Sequence, residues 1–224
     1  MQPSLSHIDT WIFDLDLTLY PPEAMIMSQV RDRIALFVEQ HLQISPSEAH
    51  LVRHAYWQKY GTTLRGLMAE HDVEPHFYLE FVHDVDFSRL APAPELRTHI
   101  ETLPGRKLIF TNADAPYAGR VLAARGLNGL FEDIFDIHRM EHRPKPELSS
   151  YQSLCRELDI NPNTALFVED SVHNLFPAKA LGMTTIWVNH EDEADSSGND
   201  SRIDFQISDV TEWLSSIHSF ERLI

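Results

Sequence analysis

The order of apolar and polar positions changes its period twice along the 224 residues of the chain. Residues 8–14, IDTWIFD, form a short apolar run that ends on an aspartate, as a buried strand would. From about residue 22 to 91 only helical spacing follows. Val30, Ile34, Phe37, Val38 and Leu42 predict one face of an amphipathic helix. The next helix opens at SPSE, where Ser45 can cap, Pro46 takes the first turn and Glu48 can close a capping box; Gly61 can end it. Two further helices are expected, the last with Phe77, Phe81, Val82 and Val85 on one face, before the proline-marked boundary APAPE.

Past that boundary strands and helices alternate. A helix over 94–103 precedes a strand in RKLIFTNA, a helix over 114–125 stops at Gly126, and a helix over 147–158 precedes the strand TALFVED. A helix ending near Gly182, the strands TTIWV and IDFQI and a short helix complete the series. Such alternation predicts an α/β fold, a Rossmann-like parallel sheet covered on both faces. The expected division is a core of residues 1–20 and 92–224 with an all-helical insertion over 21–91.

Composition narrows the setting. A hydrophobic content of 43% suits a globular chain, no apolar run approaches the length of a membrane span, and MQPSLSHIDT lacks the basic-then-apolar order of a signal peptide, so a cytoplasmic location is expected. The single Cys155 has no partner for an internal disulfide and shares a helical face with Tyr151 and Leu158, which reads as a small apolar residue. A formal charge of −16, from 34 acidic and 18 basic residues, speaks against nucleic-acid polymers and anionic membranes as partners. A small phosphorylated ligand remains compatible, because a bound divalent cation attracts phosphate locally and salt screens the global field within about 8 Å. The acidic stretch EDEADSSGNDSR, residues 191–202, is expected to be a solvated loop.

Ligands of open parallel sheets lie beyond the carboxyl ends of the strands. Asp14 and Asp16 follow the first strand, Thr111 and Asn112 the second, and Glu169 and Asp170 end the strand in TALFVED; Lys145 sits between two prolines in RPKPE. Two aspartates at the end of a buried strand cost several kcal/mol to desolvate, or shift their pKa values until one takes up a proton, unless a cation shares their site. Asp16 lies two positions after Asp14, so in an extended segment both project to one side. A different metal site, zinc on His50 and His54 four apart on a helix, lacks an evident third ligand, and a solvated face is the expectation there.

The segments FDLDLTLY, FTNA, RPKPE and FVEDSVHN, in this order, resemble the four motifs of the haloacid dehalogenase superfamily of phosphohydrolases. The likeness runs through essentially the whole chain, and the helical insertion resembles that family's cap domain. The resemblance implies that Asp14 is the nucleophile and forms an aspartyl-phosphate, and that Asp16 is general acid and then general base, its carbonyl a metal ligand. Thr18 would support the loop, Thr111 and the backbone N–H of Asn112 would bind phosphoryl oxygens, and Lys145 would offset negative charge. Glu169 and Asp170 would hold Mg2+ together with Asp14 and Asp16. Many relatives carry a further acid where Asn174 stands, and Asn174 is expected either to weaken metal binding or to orient Lys145 or Asp170 by hydrogen bonds. The stretch YWQKYGTTLRGL, Tyr56 to Leu67, resembles pyrimidine 5'-nucleotidases. By that likeness Tyr56, Trp57 and Tyr60 can stack on a base, although a helical aromatic cluster more often belongs to a core, and Tyr60 and Arg65 are the candidate substrate contacts. The implied activity is Mg2+-dependent hydrolysis of UMP and CMP. Another small phosphorylated metabolite, such as a sugar phosphate or phosphoglycolate, and a phospho-accepting signalling protein stand as alternatives. Dehalogenation is disfavoured because it needs neither Asp16 nor Mg2+.

Overall fold

The computed structural model describes residues 5–190 and 200–221. The expected loop over 191–202 lies outside the described residues except for its last three. The chain forms two compact units, Pro22–Leu90 and the remainder on either side of it.

In the unit Pro22–Leu90 a short 3-10 turn at Pro22–Ala24 leads into α1 (Ile26–Leu42), α2 (Pro46–Tyr60), α3 (Thr63–His71) and α4 (Pro75–Val82). The capping box of α2 is present: the Ser45 side chain accepts from the Glu48 N–H, and Glu48 accepts from the Ser45 N–H at 2.9 Å. Gly61 closes α2 at φ 83°, a left-handed turn that costs other residues a steric penalty. The α1 stripe buries Val30, Phe37 and Val38. The expected face of α4 is corrected: Tyr78, Leu79 and Val82 are buried, Phe77 is 59% exposed, and Val85 lies beyond the helix. Phe77 and Phe81 instead set their ring edges against Phe37, at centroid distances of 5.8 and 5.4 Å.

The α/β unit runs β1 (Thr10–Phe13), α5 (Pro94–Thr102), β2 (Arg106–Phe110), α6 (Ala115–Ala124), β3 (Asp133–Phe135), α7 (Leu148–Glu157), β4 (Ala165–Glu169), α8 (Val172–Leu181), β5 (Thr184–Val188), β6 (Phe205–Ile207) and α9 (Val210–Glu221). All six strands of the described residues are parallel in one sheet, in the order β3-β2-β1-β4-β5-β6. β1 and β4 are central and buried along their whole length, which is why both read as unbroken apolar runs rather than alternating ones. Ile12, Phe13, Leu108, Ile109, Phe110, Leu166, Phe167 and Val168 form the middle of the core. Each such side chain contributes about 1.5–3 kcal/mol relative to exposure. No periodic pattern in the sequence marks β3. Its three residues are too short for a periodic signal, and their extended form comes from pairing with Leu108–Phe110 at the sheet edge.

The strand order reverses between β1 and β4. In sheets of this order a crevice opens there beyond the carboxyl ends, and the polar residues singled out above collect at it.

Candidate active site

The Asp14 N–H donates to the Val168 carbonyl at 2.9 Å, extending the β1–β4 ladder one residue past β1. Asp14 is thereby fixed at the mouth of the crevice. The chain then turns back: the Leu19 N–H bonds the Leu15 carbonyl at 3.0 Å, and Leu17 takes the left-handed conformation at φ 58°, uncommon for a residue with a branched side chain. Leu15 and Leu19 are buried and anchor this loop, and the His190 ring meets the Leu17 carbonyl at 2.5 Å. The Thr18 hydroxyl lies 3.4 Å from Asp14 Oδ2, in keeping with a supporting role.

Lys145 is 2% exposed and delivers its ammonium to the same place. Nζ donates to Asp14 Oδ1 at 2.6 Å, to Glu169 Oε2 at 2.7 Å and to the Phe110 carbonyl at 2.8 Å, which uses all three of its protons. The rings of Phe110 and Phe167 flank it at 5.1 and 5.2 Å. Burial by itself would lower the lysine pKa. Asp14 and Glu169 outweigh it and hold the ammonium above its usual range, so Lys145 is charged. Asn112 positions this lysine: its side-chain oxygen accepts from the Lys145 N–H at 2.8 Å and its amide donates to the Lys145 carbonyl at 3.2 Å. This use of the Asn112 side chain was not foreseen from the sequence.

Thr111 is buried, and its hydroxyl oxygen accepts from the Ala113 N–H at 3.0 Å. Glu169 has both oxygens engaged, one by Lys145 and the other by the Ser171 N–H at 3.0 Å. Asp170 stands beside it, with its carbonyl fixed by the Trp187 indole N–H at 2.9 Å. Carboxylate oxygens of Asp14, Glu169 and Asp170 come within 4.8 Å of one another. Burial, and then the charge of Glu169, push the carboxyl groups of both Asp14 and Asp170 well above the usual carboxylate range, although Lys145 pulls the other way. One ammonium therefore does not balance the cluster. Uncompensated hard oxygen donors at this spacing suit a divalent cation such as Mg2+.

Asp16 has partners that sequence reasoning missed. Its Oδ1 accepts from the Tyr20 hydroxyl at 2.5 Å and from the Tyr117 hydroxyl at 2.7 Å. Burial pushes both phenols far above the usual tyrosine range, so they remain protonated donors. Tyr20 was visible in FDLDLTLY, four residues past Asp16; Tyr117 had no local signal, because only the β2–α6 connection brings it to β1.

Three further expectations meet the structure here. Asn174 bonds neither Lys145 nor Asp170; its carbonyl accepts from the Tyr151 hydroxyl at 2.6 Å. His50 and His54 are both exposed, and Asp14, Glu169 and Asp170 are the one metal-capable trio among the described residues. Cys155 is half-buried, and that burial raises its thiol to about 11, which leaves it unreactive.

Tyr60 and Arg65 belong to the unit Pro22–Leu90. The Tyr60 hydroxyl donates to Glu70 Oε1 at 2.6 Å, and the Arg65 N–H to the Thr62 hydroxyl at 3.2 Å. Tyr56 is buried and packs over Gly66, where an added Cβ would sit 2.3 Å from the Tyr56 ring. Tyr56 is thus part of that unit's core rather than an open stacking surface. Trp57 is exposed and stacks on His54 at 6.0 Å.

Residues 8–182 match the haloacid dehalogenase-like hydrolase family. The chain belongs to that family. Phosphate metabolism protein 8 of Saccharomyces cerevisiae is 26% identical over 192 residues, covering 77% of this chain and 59% of the yeast protein. Enolase-phosphatase E1 of Parasynechococcus marenigrum is 31% identical over 88 residues, 39% of this chain and 35% of that protein. The chain thus spans less than two thirds of the length of these relatives. Among solved structures, a HAD phosphatase from Thermococcus onnurineus superposes with a TM-score of 0.62 at 19% identity, covering 95% of this chain and 97% of the other. An L-2-haloacid dehalogenase from Xanthobacter autotrophicus with covalently bound chloropropionic acid gives 0.58 at 16% identity, covering 94% and 98%. Likeness at this identity speaks for the fold alone, and the fold carries both phosphatases and dehalogenases.

Proposed function

We propose that this hydrolase cleaves phosphomonoesters through an aspartyl-phosphate on Asp14, with pyrimidine nucleoside 5'-monophosphates as substrates. The observation that carries the phosphatase reading is Asp16. A second carboxylate, held by two phenols beside the nucleophile, serves an ester whose leaving oxygen needs a proton, whereas expulsion of a halide needs none. In the first half-reaction Asp14 attacks phosphorus, the ester P–O bond breaks, and the leaving oxygen takes the proton of Asp16. In the second, water attacks the same phosphorus while Asp16 takes up its proton, and the P–O bond to Asp14 breaks to release inorganic phosphate. Lys145 holds Asp14 in place and stabilises negative charge at its carboxylate and at the arriving phosphate. The Thr111 hydroxyl and the Asn112 backbone N–H receive the phosphoryl oxygens. Asp14, Asp170 and the Asp16 carbonyl would hold Mg2+, with Glu169 in the same cluster, and the bound cation would neutralise charge on the phosphoryl group.

The helical unit is proposed as the cap that reads the leaving group through Tyr60 and Arg65. The nucleotide assignment is supported by the likeness of Tyr56 to Leu67 to pyrimidine nucleotidases. A panel of UMP, CMP, AMP, GMP, a sugar phosphate and phosphoglycolate, assayed for released phosphate with Mg2+, tests it. UMP and CMP should exceed AMP and GMP in kcat/KM by roughly a hundredfold, as expected when a misfitting ring leaves polar groups unpaired. Preference for a phosphate without a base would move the substrate to another metabolite and leave the mechanism standing. Activity that survives Asp14→Asn would remove the mechanism itself.

A further inference from the structure

Two buried tyrosines from different parts of the α/β unit end on a single oxygen. Tyr20 and Tyr117 are 2% and 0% exposed, their hydroxyls lie 3.4 Å apart, and both donate to Asp16 Oδ1. Neither position is incidental. Tyr20 reaches back four residues because the loop after β1 reverses at Leu17, through its left-handed backbone and the Leu19 to Leu15 hydrogen bond. Tyr117 sits in the first turn of α6, which is pinned twice: Asp114 accepts from the Tyr117 N–H at 3.2 Å, and Asp136 accepts from the Ala115 N–H at 2.9 Å. The segment that places Tyr117 is continuous with Thr111 and Asn112.

A carboxylate on a single-bonded stem rotates about that bond and has two equivalent oxygens to protonate. Two strong donors on one oxygen remove both freedoms. A proton placed on Oδ1 would have to compete with two phenolic protons, so the transferable proton belongs on Oδ2. We infer that Tyr20 and Tyr117 are positioning residues for the leaving-group proton: they clamp Asp16 through Oδ1 so that Oδ2 delivers and recovers it. The inference rests on the phosphatase reading and adds to it the residues that make the acid directional. Orientation of this kind matters because a misplacement of about 1 Å at a reacting group can cost on the order of a hundredfold in rate.

The bland alternative is that Asp16 merely satisfies two buried hydroxyls. Leaving-group dependence separates the two. p-Nitrophenolate leaves without a proton, whereas an alkoxide needs one. The measured quantity is the ratio of kcat/KM for p-nitrophenyl phosphate to that for an alkyl phosphate ester which the wild type hydrolyses. Because kcat/KM reports only steps up to formation of the aspartyl-phosphate, the later use of Asp16 as base does not blur it. Tyr117→Phe, Tyr20→Phe and the double variant keep the aromatic volume and remove only hydroxyls, and thermal melts establish that each is folded. The ratio is expected to rise at least about tenfold in the double variant, within the range general acid catalysis supplies, and by less in each single variant. p-Nitrophenol should also appear in a pre-steady-state burst, as hydrolysis of the intermediate slows. Proportional losses on both esters, or a constant ratio with unchanged rates, would overturn the inference. If only the double variant fails to fold, the single variants decide by the same ratio. Asp16→Asn is the control that separates this from failure of the underlying reading. A raised ratio there with none in the tyrosine variants rejects the tyrosine roles alone, and an unchanged ratio there removes the acid and the inference with it.

Discussion

The two units each hold a lysine against a carboxylate, and the contacts behave in opposite ways. Lys145 meets Asp14 at 2.6 Å and Glu169 at 2.7 Å with side chains 1%, 8% and 1% exposed; Lys59 meets Glu70 at 2.9 Å with side chains 65% and 37% exposed. Around Glu70 the hydrogen bond from Tyr60 leads, then those from Lys59 and Tyr56, and the carboxyl is lowered to about 2. Around Asp14 burial leads, and the carboxyl is raised despite a shorter contact to its lysine. Distance alone therefore does not tell a site from a surface pair. In the helical unit water has already compensated both charges, and the contact adds little. In the crevice the same chemistry is under tension, and that tension is what a cation can relieve.

The widest separation between the two should come from deleting the lysines. Lys145→Met leaves Asp14 and Glu169 buried without their ammonium, and loss of one partner of a buried pair costs about 3–5 kcal/mol. Phosphatase turnover should fall by at least about a hundredfold as well. Urea unfolding and steady-state kinetics check both. Lys59→Met is the counterpart, expected to leave the urea midpoint near that of the wild type. Comparable losses in the two variants would erase the distinction drawn here.

The response to pH should have opposite signs in the two units. Asp14 and Asp170 have folded pKa values above the ordinary 3.8, so the folded state retains protons that the unfolded state has already released. Their contribution to stability is thus largest below 3.8 and is lost as pH rises through the folded values. Metal-free protein should accordingly lower its Tm from about pH 5 to about pH 8, Asp170→Asn should flatten that slope, and Mg2+ should offset it by binding the ionised carboxylates. A Tm independent of both Mg2+ and Asp170 would exclude the carboxylate trio as a cation site.

The smallest effect belongs to Glu70. Its folded pKa is below the ordinary 4.5, so what it contributes is present above 4.5 and lost as pH falls toward 2. Glu70→Gln should shift Tm slightly at neutral pH and low salt, and the shift should shrink as salt screens the Lys59 contact. A salt-independent loss would mean that Tyr56 and Tyr60, and not the charge, carry the contact.

Much of this was legible in the chain because it is encoded locally. An apolar run followed by Asp14 announces a buried strand with a polar end; Ser45, Glu48 and Gly61 bound α2 by hydrogen bonds made within a few residues. The order of strands and helices points to a parallel sheet; strand ends single out Asp14, Asp16, Thr111, Glu169 and Asp170, and two flanking prolines single out Lys145. What was not legible depends on contacts between distant segments. β3 is extended only because Leu108–Phe110 pairs with it, and Phe77 stays largely exposed while its ring edge meets Phe37 of α1, 40 residues earlier in the chain. The sequence marks Asn112 for its backbone N–H, whereas its side chain holds Lys145, 33 residues away. Tyr117 joins Asp16 across 101 residues, and no period or spacing can express that. The residue types and their order decide which chemistry the chain can perform. Only the folded sheet decides which charges are buried together, and burial, by withdrawing the water that would otherwise screen them, turns a set of carboxylates and one lysine into a site.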